Sequence, residues 1–127
     1  MAGGVLIVED DEDIRADLAA ILRIKGFAVA EAANGVEALA QMRNALPCVL
    51  LLDLMMPEMN GWELGAIMAT EARLQKVPIV VVSGAGRLEQ STKTLSPAAI
   101  LAKPFELSHL IDVVARYCRS GLASAPR

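Results

Sequence analysis

Cysteine is scarce in this chain: Cys48 and Cys118 are the only two among 127 residues. Two cysteines do not make the disulfide framework of a small secreted scaffold, so reduced, buried thiols in a cytosolic protein are the default expectation. Long apolar runs are missing as well. No stretch approaches the ~20 residues that a membrane helix needs. The start, Met1-Ala2-Gly3-Gly4, lacks the basic segment of a secretion signal, and Val5 to Val8 is too short for its apolar part. Nor is there an excess of basic charge. Twelve Lys and Arg stand against 15 Asp and Glu, a net charge of −3, which argues against a general nucleic-acid surface. Aromatic residues make up only 3%. What is present is 54% hydrophobic and 21% charged, a balance that excludes wholesale disorder. A chain of this length suggests one domain and can bury roughly two-thirds of the surface it exposes when unfolded. These features exclude a two-domain enzyme, a secreted scaffold and a membrane protein.

Apolar runs of strand length alternate with helical patterns, which is the signature of an α/β sheet. Val5 to Val8 reads as a buried strand that stops at Glu9 and Asp10. Ile14, Leu18, Ile21 and Leu22 recur at helical spacing, with acids leading and Lys25-Gly26 closing the helix. Phe27 to Ala32 reads as a second strand nearer an edge, and Val36, Leu39, Ala40 and Met42 as a second helix after the Asn34-Gly35 turn. Cys48 to Leu52 is a fully apolar central strand ending in Asp53. Gly61 to Arg73 is expected to be helical and Val77 to Val82 a strand. Arg87 to Leu95, with few large apolar residues, is expected to form a short, weakly held helix. Ala98 to Ala102 makes a fifth strand, and Leu107, Leu110, Ile111 and Val114 define a last helix ending near Arg119. The domain is therefore expected over residues 1–119, with residues 120–127 a flexible tail or linker remnant. Five parallel strands flanked by five helices form a doubly wound sheet, which binds ligands beyond the carboxyl ends of its strands.

The residues at those ends are Glu9-Asp10, Asp53, Ser83 and Lys103. Each has an ordinary structural explanation. Acids after the first strand suit a helix N-terminus, and Asp53 could cap the turn that follows it. Ser83 before Gly84 could be a turn or cap serine, and Lys103 a surface lysine held extended by Pro104. Capping accounts well for Asp11, Glu12 and Asp13 but less well for Glu9 and Asp10, which end a buried strand. Adjacent carboxylates there repel unless a cation intervenes, and a hard divalent ion such as Mg²⁺ supplies the compensation through oxygen ligands. Together the set matches what phosphoryl transfer requires: a carboxylate nucleophile, a metal site, an ammonium and a hydroxyl donor. The small Gly84 leaves room for the incoming phosphoryl group.

Four segments in this order resemble the receiver domain of two-component response regulators. They are VLIVEDDEDIR over residues 5–15, LLDLMMPEMNG over 51–61, IVVVS over 79–83 and AKPF over 102–105. The resemblance runs from about Gly4 to Arg119. It implies a flavodoxin-like sheet of order 2-1-3-4-5, Asp53 as the phosphoacceptor, and Glu9 and Asp10 as the acid pair holding Mg²⁺. The backbone carbonyl of Met55 would be a further metal ligand. Ser83 would be the switch hydroxyl and Lys103 the phosphate contact, with a cis bond to Pro104. The donor would be a phosphohistidine on a histidine kinase or a histidine phosphotransfer protein, and the module would act in the cytoplasm. His109, in the polar start of the last helix, reads as a solvated residue instead of a donor.

Three departures bear on output. The family often has an aromatic three residues before the lysine; here that position is Ile100, so a ring-flip mechanism does not carry over. The polar segment from Arg87 to Leu95 should leave the adjoining face loosely packed. Met55 and Ala85 offer no polar side chain to position attacking water, which predicts slow self-dephosphorylation. The chain would catalyse only its own phosphorylation and dephosphorylation, and would not otherwise be an enzyme. Output would then come through a downstream protein, self-association as a homodimer, or a further domain, without direct nucleic-acid or membrane binding. Two alternatives stand beside this reading. One is a receiver-like interaction scaffold that is not phosphorylated. The other is a small Mg²⁺-dependent phosphatase with an aspartyl-phosphate intermediate, for which no second acid follows Asp53 in Leu54-Met55-Met56-Pro57.

Overall fold

The computed structural model describes residues 4–53, 61–83, 97–102 and 106–118. In chain order the described elements are β1 (Val5–Val8), α1 (Glu12–Ile24), β2 (Val29–Ala32), α2 (Gly35–Asn44), β3 (Val49–Asp53), α3 (Gly61–Met68), a 3-10 turn (Leu74–Lys76), β4 (Ile79–Ser83), β5 (Ala99–Ala102) and α4 (Leu107–Tyr117). The five strands form one parallel sheet of order β2-β1-β3-β4-β5, as expected. The helix expected over Arg87 to Leu95 lies outside the described residues, as do Met55, Gly84, Lys103, Pro104 and the tail.

Alternation along the strands splits the core into two layers. Leu6, Val8, Leu50, Leu52 and Val81 pack with Ala38, Leu39 and Met42 of α2 and Leu64 and Met68 of α3. Val5, Ile7, Val49, Leu51, Val80 and Val82 pack on the other face with Ala19 and Leu22 of α1 and Leu110, Val113 and Val114 of α4. Strands buried on both faces must be apolar throughout, which is why β1 and β3 read as unbroken aliphatic runs. β2, at an edge, is half-buried and carries Glu31.

Local chemistry sets the helix ends that aim the loops. The Asp11 carboxylate accepts from the Ile14 N–H at 3.0 Å and caps α1, with Glu12 and Asp13 in the first turn. At the other end Gly26 adopts φ 95°, and the N–H groups of Gly26 and Phe27 donate to the carbonyls of Arg23 and Leu22. That pairing is a Schellman motif, and its left-handed residue favours glycine. It also holds Phe27 out of the strand and in the core, so β2 begins at Val29 and not at Phe27. Asn34 caps α2 through the Glu37 N–H at 2.9 Å.

Two further sequence expectations are corrected. The helix expected from Gly61 to Arg73 stops at Met68. There the Thr70 hydroxyl donates to the Ile67 carbonyl at 2.7 Å, and the Gln75 amide donates to the Ala69 carbonyl at 2.5 Å. These side chains satisfy carbonyls that a further helical turn would otherwise occupy. The second correction concerns the cysteines. Cys48, just before β3, and Cys118, the C-terminal cap of α4, are joined as a disulfide with Cα atoms 5.4 Å apart. Packing α4 against β3 brings together residues separated by 70 positions, a proximity no local pattern announces.

Candidate functional site

β1 and β3 are neighbours in register, with Val8 opposite Leu52. Glu9 and Asp53 therefore emerge side by side at the carboxyl edge of the sheet, and Asp10 follows. The three carboxylates present oxygens that all lie within 4.8 Å of one another. Glu9 is 4% exposed and Asp53 8%, while Asp10 is exposed. The small cleft at this point has an aliphatic floor that includes Ile7, Leu18, Leu51 and Val82. Parity explains the placement: Asp53 continues the series Val49, Leu51 that faces α1 and α4.

This setting has an electrostatic cost. Burial pushes the Glu9 carboxyl up to about 7, and its hydrogen bond to Asp53 and the charge of that neighbour push the same way. The Asp11 N–H, donating to Glu9 Oε2 at 3.2 Å, opposes the rise. The pocket thus holds more carboxylate than it can comfortably ionise. A hard cation such as Mg²⁺ relieves that repulsion, and carboxylate oxygens are the donors it takes. The residues fit the metal that the sequence implied.

The backbone around Glu9 is tied at three points. Its N–H donates to the Ala32 carbonyl at 3.1 Å, extending the ladder to β2. Its carbonyl accepts from Arg15 Nη1 at 2.7 Å, and its carboxylate takes the Asp11 N–H. Arg15 in turn lies 3.4 Å from the Glu31 carboxylate. Arg15 belongs to the VLIVEDDEDIR segment but had no role assigned from sequence; its position one turn into an acid-led helix was the available signal.

Ser83 ends β4 opposite Ala102, one residue beyond the pairing of Asp53 with Val82. The backbone therefore carries Ser83 to the same edge of the sheet as Asp53. Ile100 lies opposite Val81 in the edge strand β5 and is 40% exposed. His109 is exposed on α4. A larger cavity of about 280 Å³ is lined by Gly4, Ala28, Gln41 and Pro47 among others, and no titratable side chain lines it. The three converging carboxylates are at the acid cleft instead.

Residues 5–115 match the response regulator receiver domain. The chain belongs to that family. The receiver domain is 36% identical over 109 residues to the transcriptional regulatory protein PrrA of Mycobacterium tuberculosis, covering 84% of this chain and 46% of that protein. It is 30% identical over 115 residues to sporulation initiation phosphotransferase F of Bacillus subtilis, covering 89% and 91%. The chain thus spans about half the length of the PrrA regulators and most of the sporulation protein. Among solved structures, the receiver domain resembles the Vibrio cholerae chemotaxis protein CheY4, with a TM-score of 0.81 and 28% identity over 92% of this chain and 99% of that one. It is similar as well to the receiver domain of NtrX from Brucella abortus, with a TM-score of 0.79 and 27% identity over 89% and 96%. The family match spans all five described strands and places the chain among response regulator receiver domains. No described helix is long and apolar enough to cross a membrane.

Proposed function

We propose that Asp53 is the phosphoacceptor of a two-component phosphorelay and that Glu9, Asp10 and the Met55 carbonyl complete an Mg²⁺ site around it. The observation that carries this reading is the convergence of three carboxylates on one cleft, two of them almost fully buried. Asp53 attacks the phosphorus of a phosphohistidine on a histidine kinase or phosphotransfer protein. The P–O bond forms as the P–N bond breaks, and the histidine ring takes up a proton as it leaves. Mg²⁺ held by Glu9, Asp10 and Asp53 would supply positive charge to offset that of the phosphoryl group. Ser83 donates its hydroxyl and Lys103 its ammonium to the phosphoryl oxygens, with Gly84 leaving space. The added charge biases the face of β5 and α4, with Ile100 at its surface, toward a downstream protein or a second copy. Residues 1–119 form this module, residues 120–127 follow it as a tail, and the module works in the cytoplasm. The chain catalyses only its own phosphorylation and slow dephosphorylation.

Incubation with a small phosphoryl donor and Mg²⁺, followed by intact mass measurement, tests the reading. Wild type should gain one phosphoryl group and Asp53→Asn none. An unmodified wild type would sink it in favour of an interaction scaffold, and sustained turnover of phosphomonoesters would favour a phosphatase.

A further inference from the structure

Arg15 is an unusual arginine. It lies in the first turns of a surface helix, yet its side chain is only 15% exposed and its guanidinium is spent on two partners at once. Nη1 donates to the Glu9 carbonyl at 2.7 Å, and Nε lies 3.4 Å from Glu31 on β2. Glu31 is itself held. Its carboxylate meets Arg23 at 3.2 Å, and its carbonyl accepts from the Gln41 amide at 2.7 Å. A chain of contacts thus runs from the edge strand, through the guanidinium, to the peptide joining Glu9 to Asp10.

That peptide matters because of what stands on either side of it. Glu9 is fixed by burial and by its N–H on Ala32, whereas Asp10 is exposed. The direction in which the Asp10 carboxylate leaves the backbone depends on the plane of the Glu9–Asp10 peptide, and rotation of that plane would swing the Glu9 carbonyl off Arg15. A carbonyl bonded to a cation in a partly buried setting resists that rotation more than one facing water. A planar fork can hold both partners at once; an ammonium offers no such fork.

We infer that Arg15, held by Glu31, is a positioning residue that sets the acid pair for the metal. The inference rests on the reading of Glu9, Asp10 and Asp53 as a Mg²⁺ site. The competing role is a plain staple between α1 and the sheet, which would lower thermal stability without touching metal affinity.

Calorimetric Mg²⁺ titration of unphosphorylated wild type, Arg15→Gln, Arg15→Lys and Glu31→Gln separates the two. Outer partners of metal ligands typically change affinity by about tenfold or more. Arg15→Gln should therefore weaken Mg²⁺ binding by about tenfold, and Arg15→Lys should recover only part of the loss. Glu31→Gln, on the partly exposed edge strand, should keep the fold and weaken binding in the same direction by a smaller factor. Phosphorylation by a small donor should slow at limiting Mg²⁺ and return close to the wild-type rate at saturation. Unchanged Mg²⁺ affinity in folded Arg15 and Glu31 variants, beside normal wild-type binding, would overturn the inference alone. Absence of Mg²⁺ binding in wild type would overturn the metal-site reading and the inference with it.

Discussion

Among the described residues Glu9 carries the sharpest conflict: a carboxyl 4% exposed, hydrogen-bonded to a second acid and pushed up to about 7. Its ordinary value is 4.5, so the folded protein holds this proton more tightly than the unfolded chain. Without metal, the group stabilises the fold below pH 4.5, and that contribution is lost as pH rises through about 7. Thermal unfolding across this range should show the loss in wild type, and Glu9→Gln should flatten it. The same variant should be more heat-stable than wild type at pH 8 without metal and should bind Mg²⁺ far more weakly. Because Mg²⁺ needs the ionised carboxylate, its affinity should rise with pH up to about 7 and its binding should release a proton. Titration in buffers of different ionisation heat would detect that proton.

Helix ends decide where the loops of the site begin. Asp11 serves twice: its carboxylate caps α1 and its N–H steadies Glu9. Asp11→Ala removes the first role and keeps the second, and should cost about 1 kcal/mol in urea unfolding. Gly26→Ala should cost at least as much, roughly 1–2 kcal/mol, because alanine must adopt the left-handed conformation that closes α1. The acid cap of α1 was legible in the sequence, since acids before an amphipathic run have a local cause, whereas Asn34 read as a turn and proves to cap α2. The start of β2 and the end of α3 were not legible. Phe27 leaves the strand because its N–H closes the motif behind it, and α3 stops where Thr70 and Gln75 supply rival donors. Both outcomes depend on which of two local bonding schemes wins, and apolar periodicity does not choose between them.

At the scale of the whole molecule, β3 carries an acid at one end and a disulfide anchor at the other. The Cys48–Cys118 bond closes a loop that contains β3, α3, β4, β5 and α4 and ties the end of α4 to the sheet. Reduction should release that constraint on the unfolded chain and lower stability by about 2–4 kcal/mol. Thermal unfolding with and without a reductant checks this, and alkylation followed by mass measurement reports whether the thiols were bonded. Mg²⁺ affinity should be the same in both states, because the bond lies at the opposite end of the sheet from the acids.

The sheet and the residue types at its rim were readable from the chain alone. Central parallel strands must be apolar on both faces, and an acid at the end of such a run stands out against it. The strands, their alternation with helices and the acids Glu9, Asp10 and Asp53 follow from that constraint. Only the folded arrangement could settle how those acids meet. The pairing of Val8 with Leu52 puts Glu9 beside Asp53, and burial there raises one proton affinity. The clamp of Arg15 between the Glu9 carbonyl and Glu31, and the meeting of Cys48 with Cys118, belong to the same class. Each joins elements distant in sequence through side-chain geometry, and geometry of that kind leaves no periodic trace in the chain.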